Sequence, residues 1–367
     1  TAPRLPLSCW PSSTPAGPAV RRAYALYGEK LFGRYKSRID YELERIRSIP
    51  NGAEAFWQTQ EFIGTIKNLW RSLKGCSPVG DAKPRLTFRG PVLAGFVAYL
   101  CGITEYDPME WEFYAWTFFM RTKGIEFNLD VTLGMYDLIR EYDIAVPSCV
   151  ILRIDVDQSV LEEAEAYGVS YRCDIHNSGE TLREINREIE VFFREVMEND
   201  QDALKYIWNE EERKVSEVEP ILNYLCGIDQ LPESLWNLVR LNGFLHNTLH
   251  EGTRLQVLRM VPQIYVDDGI IAYPEDIYET LWKKGYPRES AQRIARTVQS
   301  ANRTITKQDQ AILEEHCGRT YALMAAGTKH LFYKAQVFGK TIGSAELMRW
   351  YNHDPEILRD AYVRVMK

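Results

Sequence analysis

The sequence lacks the marks of several protein classes. Its seven cysteines (Cys9, Cys76, Cys101, Cys149, Cys173, Cys226 and Cys317) are odd in number, scattered, and form no Cys-x-x-Cys pair. That pattern speaks against a disulfide scaffold or a zinc ribbon and fits thiols kept in a reducing compartment. No apolar run approaches the ~20 residues that a membrane helix needs, and the first residues show no basic-then-apolar leader pattern. The expectation is a cytoplasmic protein without a membrane partner. A basic excess is missing as well: 44 Lys and Arg stand against 51 Asp and Glu, giving a net charge of -7. Any hold on nucleic acid must therefore come from local patches rather than from the surface as a whole. No internal repeat is evident.

What is present is enough apolar material for one or two substantial cores, with 45% hydrophobic and 12% aromatic residues in a chain of 367. Residues 1–19 are a proline-rich tail, carrying Pro3, Pro6, Pro11, Pro15 and Pro18. Apolar residues at helical spacing predict one helix from Val20 to Ile49. Asn51-Gly52 breaks it, and a second is expected from Ala53 to Leu73. Two segments read as strands, Ile125 to Val131 by alternation and Ser148 to Val156 by its apolar run after Pro147, with a helix between them at Leu133 to Tyr142. From Glu180 to Tyr224 the residues Leu182, Ile185, Ile189, Phe192 and Val196 share one helical face. Short helices separated by Pro232, Gly243, Gly269, Gly285 and Gly318 are expected over residues 230–367. The fold class is thus mainly α with a small mixed α/β centre built from residues 85–175.

Three stretches carry a resemblance. The first helix reads Ala25-Leu26-Tyr27-Gly28, then Arg38-Ile39-Asp40-Tyr41-Glu42-Leu43-Glu44. The second stretch runs from Phe88-Arg89-Gly90-Pro91 through Gly95 to Gly102-Ile103-Thr104-Glu105-Tyr106-Asp107-Pro108. The third is Leu238-Val239-Arg240-Leu241-Asn242-Gly243-Phe244-Leu245-His246, continued by Glu275-Asp276-Ile277, Tyr321, Lys329, Leu331-Phe332, Lys334-Ala335 and His353-Asp354-Pro355. In order and spacing these resemble the palm and fingers core of the C-family bacterial replicative DNA polymerases, the PolC type. The likeness covers residues 20–130 and 230–367. It implies a nucleotidyltransferase-like palm over residues 20–180, a helical connector in place of the thumb over 181–229, and helical fingers over 230–367. The family's cysteine-rich zinc insertion, which would follow Pro108, is absent.

The same resemblance implies a site whose chemistry is altered. Nucleotidyl transfer uses two divalent cations held by carboxylates, and period-2 alternation puts the carboxylates of an Asp-x-Asp strand on one face. Glu126 and Asn128 stand where the family keeps those two aspartates, and Asp174 is the match for the third. A neutral amide at 128 weakens the hold on Mg2+. Arg89 and Gly90 remain of the glycine-serine segment that cradles the triphosphate, but Pro91 removes a donor and Leu93 adds bulk. Lys334 remains in the fingers, whereas the neighbouring family histidine and arginine fall at Gln336 and Glu346, and a lysine-glycine run becomes Gln299-Ser300-Ala301-Asn302.

Other groupings offer alternatives. Asp155 and Asp157 form an Asp-x-Asp pair at the end of the second strand, which with Asp174 would make a rescued metal site, against the plain reading as solvated loop caps. His246 and His250 have the i, i+4 spacing of a zinc pair on a helix, but no third ligand accompanies them. Residues 281–308 hold Lys283, Lys284, Arg288, Arg293, Arg296, Arg303 and Lys307 against the single acid Glu289. That stretch is either a nucleic-acid patch or an ordinary solvated face. The expectation is a catalytically degenerate PolC-like protein that binds DNA or a replication protein. A working Mg2+-dependent nucleotidyltransferase and a structural subunit without a nucleic-acid role are the alternatives.

Overall fold

The computed structural model describes residues 16–72, 86–119, 124–131, 138–154, 215–232, 235–261, 263–265, 269–300 and 302–341. The chain divides into two compact units, residues 1–180 and 181–367.

In the first unit, α1 (Ala16–Ser48) and α2 (Gly52–Ser72) occupy the two segments expected to be helical. The first is broken at Gly28, whose backbone lies at φ 66, ψ -179, so the Tyr27-Gly28 step is a kink between two helical pieces. Beyond it Ile39, Leu43 and Ile46 recur at helical spacing and are all buried. A three-stranded sheet follows in the order β1 (Leu86–Arg89), β2 (Phe127–Val131), β3 (Val150–Ile154). β1 runs antiparallel to β2, and β3 runs parallel to it. Alternation decides the faces: Phe127, Leu129 and Val131 are fully buried, and their register partners Phe88, Val150 and Leu152 are buried with them. Phe56 of α2 covers this face, its ring 5.3 Å from that of Phe127 in a T-shaped pair. Between β1 and β2 lie a 3-10 turn over Gly90–Ala94, α3 (Phe96–Leu100) and α4 (Ala115–Phe118).

Glu42 of α1 ties these pieces together. Its carboxylate is fully buried and accepts the backbone N–H of Phe96 at 3.0 Å and of Val97 at 2.8 Å. Arg38, one turn earlier, donates from Nε to the same carboxylate at 2.5 Å and from its Nη2 to the carbonyl of Ala94 at 2.6 Å.

The second unit is helical throughout its described residues: α5 (Val215–Gly227), α6 (Leu235–Leu245), α7 (Glu251–Met260), α8 (Pro274–Lys283), α9 (Arg288–Gln299), α10 (Lys307–Cys317) and α11 (Arg319–Gly327), with residues 334–341 helical beyond them. Buried Arg240 of α6 organises one side of it, donating to the carbonyls of Ile264 at 3.0 Å and Ile270 at 3.3 Å and to Asp276 at 3.2 Å. Asp276 in turn accepts from the backbone of Ala272 and Tyr273, which fixes the start of α8.

Gly243 lets α6 press against this corner. A Cβ there would lie 2.5 Å from the Tyr273 ring and 2.8 Å from the Ala272 carbonyl oxygen. Because one obstacle is backbone, the overlap cannot be relieved by a rotamer change. Gly243→Ala is expected to lower stability by about 1–3 kcal/mol, the usual cost of overpacking. Urea denaturation of the two proteins checks it, and an unchanged midpoint would mean the helix moves away freely.

The expected mainly helical architecture with a small mixed sheet is what the structure has, and both expected strands form. The long helix read over Glu180 to Tyr224 lies mostly outside the described residues; of that stretch Val215 onward is helical in α5.

Candidate functional site

The first cluster sits where β1 ends beside β2. Arg89 is the register partner of Asn128. Gly90 then turns the chain at φ +82, a conformation that side-chain-bearing residues avoid. The Cβ that Gly90 lacks would stand 3.9 Å from Nδ2 of Asn128. Thus two residues at the end of β1 and one of β2, about forty positions apart by their numbers, meet at one corner of the sheet.

Asn128 is half-buried on the face opposite Phe127 and Leu129. Glu126 is exposed and lies one residue before β2 begins, so the two positions read as a strand pair straddle the strand's start. Asp130 occupies the next position of the same period and is the register partner of Thr87 and Arg153. Sequence reasoning did not single it out, although the alternation Glu126, Asn128, Asp130 was on view. Asp155, Asp157 and Asp174 lie outside the described residues. Among the described residues, no three His, Cys, Asp or Glu side chains group in a way that could hold a metal ion.

The turn after Gly90 is packed inward. Val92, Leu93 and Ala94 are buried in it, and Gly95 N–H is spent on the Val92 carbonyl at 2.8 Å. The next two N–H groups, of Phe96 and Val97, are those that Glu42 engages. A phosphate at this corner would find Pro91 without a donor and the N–H groups of Gly95, Phe96 and Val97 already engaged.

In the second unit, Lys334 is buried and its ammonium lies 4.3 Å over the ring of Trp236. Its backbone N–H donates to both oxygens of Glu275, at 3.1 and 3.2 Å. Glu275 is itself buried in the first turn of α8. Loss of solvent pushes its carboxyl up to about 8, against the lowering from its hydrogen bonds and from Lys334.

The basic residues of the α8–α9 region serve different purposes. Arg293 forms a two-pronged pair with the buried carboxylate of Asp309, at 2.6 and 3.0 Å. Those bonds hold the Asp309 carboxyl below its ordinary range. Arg296 is half-buried, with its Nε turned inward. Lys283, Lys284 and Arg288 are exposed at the corner joining α8 to α9. Arg288 lays its guanidinium 4.3 Å over the ring of Trp282. Arg303 and Lys307 are exposed farther on.

The histidine pair is corrected. α6 ends at Leu245 and α7 starts at Glu251, so His246 and His250 do not share a helical face. His246 is buried edge-on to Phe332 at 5.2 Å, while His250 is the exposed residue before α7. Their spacing matched a helix that Asn247 and Thr248 interrupt.

No helix among the described residues is long and apolar enough to cross a membrane. No family model matches the chain, and no curated protein matches it either.

Proposed function

We propose that the chain is a PolC-like polymerase core that has lost nucleotidyl transfer and acts as a DNA- or replication-protein-binding module, with DNA the favoured partner. One observation carries the reading. At the corner where a palm would gather its cation ligands beside its phosphate loop, the side chain nearest Gly90 is a neutral amide, Asn128, 3.9 Å from the missing Cβ. An amide supplies one neutral oxygen where a carboxylate supplies charge, so the corner loses most of its attraction for Mg2+. The engaged N–H groups of Gly95, Phe96 and Val97 and the lysine held against Trp236 support the same reading.

A second reading is an active metal-dependent nucleotidyltransferase using Asp155, Asp157 and Asp174, or Glu126 with Asp174. Its support is that β3 runs parallel beside β2 and ends at Ile154, the residue before Asp155. Primer extension with magnesium or manganese separates the two. The expected outcome is no incorporation. Incorporation that disappears in Asp174→Ala would replace the first reading by the second.

The DNA contact is tested by titrating primed DNA across a salt series. Affinity is expected to fall with salt, and Lys283→Glu/Lys284→Glu/Arg288→Glu to flatten the slope of log K on log salt by about 3, since each lost phosphate contact removes about 0.9. A salt-independent affinity, or no binding, would count for a structural role instead.

A further inference from the structure

We infer that Trp282 is a stacking platform for an unpaired base of single-stranded DNA, at the corner between α8 and α9. This rests on the DNA-binding reading above and specifies which form of DNA the corner takes.

Trp282 is 40% exposed at the penultimate position of α8. An indole left in water at a helix end loses burial energy, so its environment decides whether it serves a partner. Here the exposed surroundings carry an excess of positive charge: Lys283, Lys284 and Arg288 stand against Glu289, with Gly285 and Pro287 between them. Among the described residues of α8 and α9, Trp282 is the one exposed large apolar side chain. A nucleotide repeat carries one planar ring and one anion, and this corner carries one planar ring and three cations against the single exposed acid Glu289.

The corner is also preorganised. Gly285 N–H donates to the Trp282 carbonyl at 2.8 Å and Tyr286 N–H to the Leu281 carbonyl at 3.0 Å, which closes the end of α8. Tyr278, one turn back, stacks at 6.1 Å and 25° to the indole, and the Arg288 guanidinium lies 4.3 Å over it. Ring and cation are thus held before any ligand arrives, and a guanidinium plane is itself a surface on which bases stack. The same residues would meet only phosphates on a duplex, whose bases are already stacked on one another.

The test is fluorescence anisotropy of the full chain with a labelled dT oligomer, a duplex of equal length, and polyglutamate as competitor. Trp282→Ala is expected to weaken dT binding about tenfold, by the usual worth of one base–aromatic stack, while leaving duplex binding and the salt slope unchanged. Trp282→Tyr should restore most of the affinity, and a melting curve unchanged from the parent chain excludes misfolding as the cause. Equal dT affinity for the parent and Trp282→Ala, with binding intact, overturns the stacking inference alone. Polyglutamate competing as well as dT, charge for charge, overturns it in favour of an acidic protein segment. No binding of either DNA by the parent chain overturns both the inference and the reading beneath it.

Discussion

Glu42→Ala is expected to cost the first unit about 3–5 kcal/mol, the penalty for breaking a buried pair by removing one partner. The carboxylate is fully buried and receives the Arg38 guanidinium together with two backbone N–H groups. Alanine strands all of these at once, and each orphaned buried donor adds desolvation that folding no longer recovers. Glu42→Gln should fall between alanine and the parent: it keeps one acceptor for Phe96 or Val97 but loses the charge that Arg38 needs. Arg38→Ala/Glu42→Ala should cost less than the two single losses together, because the stranded guanidinium goes with its partner. Urea titration of the four proteins measures all three relations. A cost below about 1 kcal/mol for Glu42→Ala would show that water reaches this carboxylate. The consequence extends to the candidate site. Glu42 holds the start of α3 and Arg38 holds Ala94, so the turn that begins at Gly90 keeps its place beside Asn128 through these contacts.

Much of the fold was legible because period decides it. The run Phe127, Leu129, Val131 alternates with polar residues, and the sheet has one covered face to receive it. β1 was harder to see. Leu86–Arg89 is four residues long and runs straight into Gly90, so its strand character comes from pairing with β2, about forty residues on by number, rather than from its own pattern. Phe96–Leu100 is apolar almost throughout and buried at Phe96, Val97, Ala98 and Leu100, and a five-residue segment buried on all sides shows no period that would tell helix from strand.

The candidate site was legible only where it follows from strand alternation and the spacing of motifs. Arg89, Gly90 and Asn128 stand together at one corner of the sheet. What the cations do was not legible, since their partners are set by tertiary packing. Arg293 finds Asp309 in the next helix, and Lys334 finds Trp236 from almost a hundred positions away. A count of basic residues over 281–308 could not show that Arg293 pairs with Asp309 while Lys283, Lys284 and Arg288 lie exposed where α8 meets α9.

Glu275 should make the second unit's stability depend on pH in an unusual direction. Burial raises its carboxyl from 4.5 to about 8 in the folded chain. A carboxyl whose folded value is raised holds its proton more tightly when folded. Its stabilising contribution is therefore complete below pH 4.5 and is lost as pH rises through about 8. At about 1.4 kcal/mol per unit, the loss across that window is on the order of 5 kcal/mol. Most carboxylates act the other way, as Asp309 does: its lowered value gives a contribution present above 3.8 and lost as pH falls through the folded value. Glu275→Gln is a direct test, because glutamine keeps an oxygen for the Lys334 N–H and has no proton to release. The variant should match the parent near pH 4.5, and its advantage in melting temperature should grow steadily toward pH 8. Parallel pH profiles for the two proteins would mean that the carboxylate is charged throughout, balanced by the Lys334 ammonium that lies over Trp236. Lys334 would then be the counter-ion of a buried acid, with its ammonium engaged there and over the Trp236 ring.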